Sequence, residues 1–298
     1  MVSKSEADSN FLRGRVAIFW TEAVDDFPRS KDVPLPLPTE AEIENALNIS
    51  PECHYIVKFG KGVNLVEGEN MLFVREMTKV PVPRVYALYS NPQIGKNYIV
   101  MEHIARETLA KLWASLTGAE KESIVAKLHS YNTTRSYTSC HHQVTMSIDK
   151  QTLLDEIFWT QHTEAMINSP FITEAALNKA MAWKYTHDSR PHYKADFYCQ
   201  CLPHIFCGHK LMFTHGDCQH KNIMIQSDPQ RMTANNRTLE IVILDWEKSG
   251  WYPSYWEYCL AVCALCWDDD WGLWIEKMLD LFISEVSWLQ ILRLELWS

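Results

Sequence analysis

The chain has 298 residues, 47% of them hydrophobic and 22% charged, with a formal net charge of −9. That length fits one large domain or two modest ones, and that composition is globular rather than disordered. The acidic balance argues against nucleic-acid binding, which needs clustered Lys and Arg to neutralise phosphates.

The polar start Met1 to Asn10 does not read as a signal peptide. The apolar run Tyr258 to Trp267 is too short to span a bilayer as a helix. The expectation is a cytoplasmic protein without membrane contact, its nine cysteines kept as thiols. Residues 1–38 read as an N-terminal extension or arm, because Pro34, Pro36 and Pro38 forbid a helix interior. Thr39 and Glu42 form a capping-box pattern that opens a short helix over 40–48. His54 to Phe59 is β-branched and aromatic and predicts a strand, ended by Gly60 and Gly62. Helical spacing predicts a helix over 65–77, stopped by Pro81-Val82-Pro83. Strands follow at 85–89 and 98–101 around the turn Asn91 to Gly95.

Near residue 103 the texture changes from mixed to mainly helical, so 39–103 forms one lobe and 104–298 a second. Thr117 and Glu120 form another capping box, with Ile124, Val125, Leu128 and Tyr131 at helical spacing behind it. Residues 151–168 and 173–187 also read as helices. Leu211 to Phe213 and Glu240 to Leu244 read as short buried strands, the second reached through a polar hairpin tip, Ser227 to Thr238. From Trp256 onward the chain reads as helical and rich in Trp.

The most informative stretch is His215-Gly216-Asp217-Cys218-Gln219-His220-Lys221-Asn222-Ile223-Met224-Ile225, followed by Ile243-Leu244-Asp245. An Asp and an Asn five apart on one loop, with a second Asp on a hairpin partner, can converge on one point. Oxygen ligands of this kind suit Mg²⁺ with substrate phosphates, and the remaining acid can orient or deprotonate a hydroxyl. Read alone, His-Gly-Asp is a common turn; the whole pattern is far more restrictive. It resembles the aminoglycoside phosphotransferase and choline kinase-like families, which share the protein-kinase fold. Upstream landmarks occur in the same order: Lys58 on a strand, Glu69 on the next helix, Pro81-Val82-Pro83-Arg84-Val85, and Tyr98 to Glu102 before the change of texture. Glu67 to Glu76 and Gly250 to Tyr258 resemble the fungal branch.

The resemblance implies an α+β fold with a small antiparallel-sheet lobe and a larger, mainly helical lobe. It implies transfer of the γ-phosphoryl group of ATP, with Mg²⁺, to a small-molecule hydroxyl. Asp217 then matches the catalytic Asp, and Asn222 and Asp245 the metal ligands. Lys58 matches the phosphate-binding Lys and Glu69 its ion-pair partner, while Met101 and His103 fall at the nucleotide-binding hinge. Glu67 competes with Glu69 for Lys58; the distance back from Pro81 favours Glu69. Read in isolation, Lys58 is an exposed edge-strand Lys. His215 reads as a support for the loop, Glu257 as an anchor for its backbone and Glu247 as structural. His220 and Lys221 read equally as substrate contacts or as a solvated loop face. Cys218 reads as packing beneath the loop. Cys199, Cys201, His204 and Cys207 make a crude ligand cluster whose spacing fits no common structural zinc pattern. The acids Asp268, Asp269 and Asp270, with Glu257, suggest a cationic substrate such as an amine.

One departure stands against this pattern. Only Asn48 to Cys53 separates the first helix from the Lys strand, and no Gly lies between Gly14 and Gly60. The small lobe reads as truncated before the Lys strand, without a Gly-rich phosphate loop. A catalytically weak or inactive relative that serves as a binding or scaffold module is therefore the alternative.

Overall fold

The fold is taken from a computed structural model that describes residues 15–19, 37–45, 55–104, 106–136, 145–149, 152–168, 170–227 and 239–296. The chain divides into two compact units, residues 1–73 with 82–105, and residues 74–81 with 106–298.

The first unit is built on one antiparallel sheet. Its strands are β1 (Arg15–Phe19), β2 (Tyr55–Gly60), β3 (Val85–Asn91) and β4 (Lys96–Glu102), in the order β1-β2-β4-β3. Two helices accompany them, α1 (Glu40–Asn45) and α2 (Val66–Met77), the latter counted with this unit as far as Phe73. The Thr39–Glu42 capping box forms as its sequence predicts. The Thr39 N–H donates to Glu42 Oε2 at 2.7 Å and the Glu42 N–H to Thr39 Oγ1 at 3.3 Å. Residues 46–48 of the expected helix lie outside the described residues.

β2 alternates strictly, burying Tyr55, Val57 and Phe59 on one face and turning Ile56 and Lys58 to the other. Leu37, Ile43, Tyr86, Tyr98 and Val100 complete the core on the buried face. There Tyr98 stacks between Phe59 and Tyr89, with ring centroids 5.9 and 4.7 Å away.

β1 corrects the reading of 1–38 as an arm. Residues 15–19 pair antiparallel with β2, from Arg15 opposite Phe59 to Phe19 opposite Tyr55. Hence β2 is an interior strand, flanked by β1 and β4, and Lys58 is no edge-strand lysine. The segment Asn48 to Cys53 and the prolines at 34 and 36 lie outside the described residues.

The second unit holds two small sheets among helices. β5 (Glu107–Thr108) leads into α3 (Leu109–Leu112) and α4 (Gly118–Ser136). At the start of α4 the Thr117–Glu120 capping box closes, Thr117 N–H to Glu120 Oε2 at 2.9 Å. Ile124, Val125 and Leu128 are buried as their spacing predicts. The expected helix over 151–168 is absent. Its place is taken by a 3₁₀ turn at Glu156–Phe158 and the single turn α5 (Ala165–Asn168). Asn168 accounts for the break: its amide donates to the Phe158 carbonyl at 2.6 Å, and its Oδ1 accepts from Thr160 Oγ1 and the Glu164 N–H.

α6 (Glu174–His187), capped by Thr173, packs beside α7 (His192–Ile205), a helix the sequence reading missed. β6 (Leu211–Thr214), β7 (Ile223–Ser227), β8 (Leu239–Ile243) and β9 (Gly250–Pro253) follow. β5, β7 and β8 form one sheet, and β6 pairs with β9. The hairpin tip 228–238 between β7 and β8 lies outside the described residues. The chain continues through α8 (Trp256–Cys263), a 3₁₀ stretch at Asp270–Trp274, α9 (Ile275–Met278) and α10 (Ile283–Leu296). No helix among the described residues is long and apolar enough to cross a membrane.

Candidate active site

The site grows from the end of β6. His215 follows it and is fully buried. Its backbone N–H donates to Glu257 Oε2 on α8 at 2.6 Å, and its carbonyl accepts from Ser249 Oγ at 2.9 Å. Its ring spans the loop. Nε2 donates to the Leu244 carbonyl at 2.8 Å, and Nδ1 accepts the Asp217 N–H at 3.1 Å. A carbonyl only accepts and an amide N–H only donates, so these partners require the neutral Nε2–H ring. His215 thereby ties Asp217 to the segment just past β8 that carries Asp245, and Glu257 anchors the loop backbone.

Gly216 adopts φ +82°, a region that only glycine enters without cost. A Cβ there would lie 2.7 Å from the Lys248 carbonyl oxygen, so the turn needs both the conformation and the missing side chain.

Asp217 and Asn222 are brought together directly. Asn222 Nδ2 donates to the Asp217 carbonyl at 2.9 Å and to its Oδ2 at 3.0 Å. Gln219 Nε2 donates to the other carboxylate oxygen, Oδ1, and Lys221 Nζ stands 3.4 Å from Oδ2. Burial pushes the Asp217 carboxyl up; the Lys221 ammonium, with Lys248 and the Asn222 amide behind it, outweighs burial and holds it below the ordinary aspartate value. Cys218 is buried beneath the loop.

Asn222 immediately precedes β7 and meets the residue just past β8, where the Leu244 N–H donates to its carbonyl at 2.8 Å. Asp245 comes next, in the left-handed region at φ 63° and ψ 59°. Because the Asn222 amide nitrogen is committed to Asp217, its Oδ1 is the end left for a cation. Asp245 and Glu247 offer carboxylate oxygens within 4.8 Å of one another. This donor set is all oxygen and fits a hard cation such as Mg²⁺.

In the first unit the structure overturns the expected ion pair. Lys58 Nζ bonds Glu67 Oε2 at 2.5 Å, not Glu69. The reason is helical phase. Glu67, Gly68 and Met71 are buried on the sheet side of α2, where a Cβ at Gly68 would collide with Leu88; Glu69, two residues past Glu67, faces out and is exposed. Met101 lies in β4 opposite Ile56 and Val85, and half-buried His103 follows the strand.

Several residues around the loop carried no readable signal. Lys248, three residues past Asp245, is bonded to Glu156, and Arg293 of α10 holds Asp155 at 2.7 Å and Glu156 at 3.5 Å. Burial pulls the Lys248 ammonium down, and the Glu156 carboxylate more than compensates, leaving it above the usual lysine value. A small pocket of about 130 Å³ borders the loop at Gln219 and His220 and is walled by Trp267, Asp268, Asp269 and Trp271. His220 stacks on Trp271 at 5.4 Å and meets Asp269 Oδ2 at 3.1 Å.

The acidic trio divides there. Asp270 is consumed by the fold: its carboxylate accepts from Lys121 Nζ and the indoles of Trp113 and Trp274, and the Lys121 hydrogen bond leads the causes that pull its pKa to about 2. Asp269 caps the 3₁₀ stretch through the Trp271 N–H. Asp268 stays exposed beside the indole of Trp267, itself 66% exposed. Among the described residues, Cys199, Cys201, His204 and Cys207 do not converge into a metal-binding group.

No family model matches the chain. Over 64 residues it is 36% identical to the subtelomeric hrmA-associated cluster proteins of two Aspergillus fumigatus strains. That stretch covers 21% of this chain and 13% of each relative, so the similarity spans about an eighth of their length. Among solved structures, the GDP complex of wild-type aminoglycoside 2′-phosphotransferase-IIIa superposes with a TM-score of 0.52 at 11% identity, covering 98% of this chain and 90% of that one. The gentamicin complex of APH(2")-IIa gives a TM-score of 0.48 at 12% identity, with 96% and 84% covered. The chain therefore has the mixed α+β, protein-kinase-like fold of the aminoglycoside phosphotransferases, with small antiparallel sheets and a larger helical part.

Proposed function

We propose that the chain is a nucleotide- and Mg²⁺-dependent phosphotransferase that phosphorylates a hydroxyl group of a small molecule. The observation that carries this reading is the Asp217–Asn222 arrangement. One loop holds a carboxylate whose pKa is pulled down beside an amide oxygen left for a cation, and Asp245 lies just past the end of the neighbouring strand.

In this reading Asp217 accepts a hydrogen bond from the acceptor hydroxyl and aims its oxygen at the γ-phosphorus. A carboxylate with a lowered pKa is a weak base, so it orients the hydroxyl first and takes the proton as the O–P bond forms. The acceptor oxygen gains the phosphoryl group, the bond from the γ-phosphorus to the β-phosphate oxygen breaks, and the nucleoside diphosphate leaves. Asn222 Oδ1 and Asp245, with Glu247 beside it, would hold Mg²⁺, which neutralises phosphate charge when bound. Lys58 takes the phosphate-binding role, steered by Glu67 in place of Glu69. Met101 and His103 take the hinge role toward the nucleotide base.

The acceptor is a cationic small molecule such as an amino alcohol. Asp268 and the exposed face of Trp267 beside the loop support this choice, since an ammonium group gains from both carboxylate and indole. A cytoplasmic site of action suits this nucleotide chemistry.

The second reading is a nucleotide-binding module with little or no transfer. It is favoured by the occupation of both Asp217 oxygens, Oδ1 by Gln219 and Oδ2 by Asn222 and Lys221. An acceptor hydroxyl must displace one of them. The test incubates the protein with Mg²⁺ and γ-labelled ATP or GTP against a panel of amino alcohols and neutral polyols. The proposal expects labelled product from the amino alcohols and its loss in Asp217→Asn. Nucleotide binding without transfer to any acceptor selects the module, and equal turnover of neutral polyols removes the cationic class.

A further inference from the structure

We infer that Glu156, braced by Arg293, is a positioning residue that holds the Lys248 ammonium away from the Asp217 carboxylate. The inference rests on the proposed phosphotransfer for one of its two readouts only.

Four charged side chains from distant parts of the chain meet beside the catalytic loop. Arg293 of α10 is largely buried, with Nη1 2.7 Å from Asp155 Oδ1 and Nη2 3.5 Å from Glu156 Oε2. Asp155 is buried and fixed further: Oδ1 accepts the Ile157 N–H at 3.0 Å and Oδ2 the Trp256 indole N–H at 3.3 Å. Asp155 thus sets Arg293, Arg293 sets Glu156, and Glu156 takes the Lys248 ammonium.

Lys248 is tied to the loop through its backbone. Its carbonyl packs against Gly216 closely enough to exclude a Cβ, and the next residue, Ser249, bonds the His215 carbonyl. The backbone of Lys248 therefore cannot move away from Asp217, and only its side chain can choose a partner. In the structure it pairs with Glu156, while Asp217 pairs with Lys221. Lys221 is half-exposed and easily displaced by substrate, whereas Lys248 is two-thirds buried, so a Lys248–Asp217 pair would be drier and harder to break. Apolar side chains would fill this volume at lower cost than two acids and two bases, and a switch of ion-pair partner is what the charges prevent.

The test has two arms. The first needs no substrate. A double-mutant cycle of Lys248→Met and Asp217→Asn is measured by urea unfolding, in the wild-type background and in Glu156→Gln. The inference expects little coupling between positions 248 and 217 in the wild type. In Glu156→Gln, where Lys248 is released onto Asp217, it expects about a fivefold or larger coupling in the unfolding equilibrium constant. Coupling that is the same in both backgrounds overturns it.

The second arm is kinetic. Glu156→Gln should lower kcat about tenfold or more while KM for the nucleotide stays within about twofold, and adding Lys248→Met should restore most of kcat. A Glu156→Gln enzyme with unchanged kcat, or one that Lys248→Met does not restore, overturns the inference. A wild type without transfer on any acceptor rejects the phosphotransfer reading, and the unfolding cycle still decides the inference. Glu156→Gln keeps the side-chain shape; if it does not fold, Arg293→Lys carries the same cycle.

Discussion

Replacing Gly216 by alanine is expected to destabilise the second unit by an amount that divides into two parts. The first is conformational. At φ +82° an L-residue costs about 1–2 kcal/mol relative to glycine. The second is steric. The new Cβ would sit 2.7 Å from the Lys248 carbonyl oxygen and 3.1 Å from the Lys248 Cβ, and the oxygen belongs to a backbone that also accepts the Tyr252 hydroxyl. Relief requires a backbone shift, adding roughly 1–3 kcal/mol.

Gly208 is the internal control. It has φ +80° with nothing within 4 Å of a built Cβ, so Gly208→Ala pays the conformational part alone. A loss of 1 kcal/mol lowers Tm by about 2–4 °C in a domain of roughly this size. Gly208→Ala should therefore lose about 2–8 °C, and Gly216→Ala about 4–20 °C. Calorimetry on both variants, checked by urea midpoints, measures the difference. Equal shifts would falsify the claim that the Lys248 backbone crowds the turn at Gly216.

Glu67→Gln should weaken nucleotide binding about tenfold or more by releasing Lys58, while Glu69→Gln leaves it within about twofold; titration calorimetry with the nucleotide separates them, and the reverse order refutes the pairing. His215→Ala removes the donor to Leu244 and the acceptor for Asp217, so it should cost about 2–5 kcal/mol in urea unfolding, with a loss under about 1 kcal/mol contradicting the clamp. Asp270 has a depressed folded pKa near 2, so its stabilisation is complete above the unfolded value of 3.8 and is lost as pH falls through about 2. The Tm gap between wild type and Asp270→Asn should accordingly be constant near neutrality and close on acidification; a gap that widens toward low pH contradicts that sign.

The candidate site loop was legible because its parts are contiguous: His215 to Asn222 lie within eight consecutive residues, and the fixed spacing carries the geometry. The sheet of the first unit was legible for a similar reason, since the alternation of Tyr55, Val57 and Phe59 states which face is buried. What failed depended on phase or on distance. Glu67 and Glu69 both fit a helix over 65–77, and only the packing of Gly68 against Leu88 decides which one faces the sheet. β1 is five residues in a polar, proline-bearing segment, and its partner lies forty positions away. α7 was hidden by Pro203 near its end. The Asp155–Arg293 pair joins positions 138 apart, and no local period announces it.

Thermal unfolding of the wild type and of Asp245→Ala, each with and without Mg²⁺-ATP, tests the central claim most directly. A ligand at 100 times its dissociation constant adds about 2.7 kcal/mol, worth roughly 5–10 °C in Tm. The account predicts a rise of that size in the wild type, dependent on Mg²⁺ and abolished by Asp245→Ala. No rise at millimolar Mg²⁺-ATP, or an equal rise in Asp245→Ala, would contradict it.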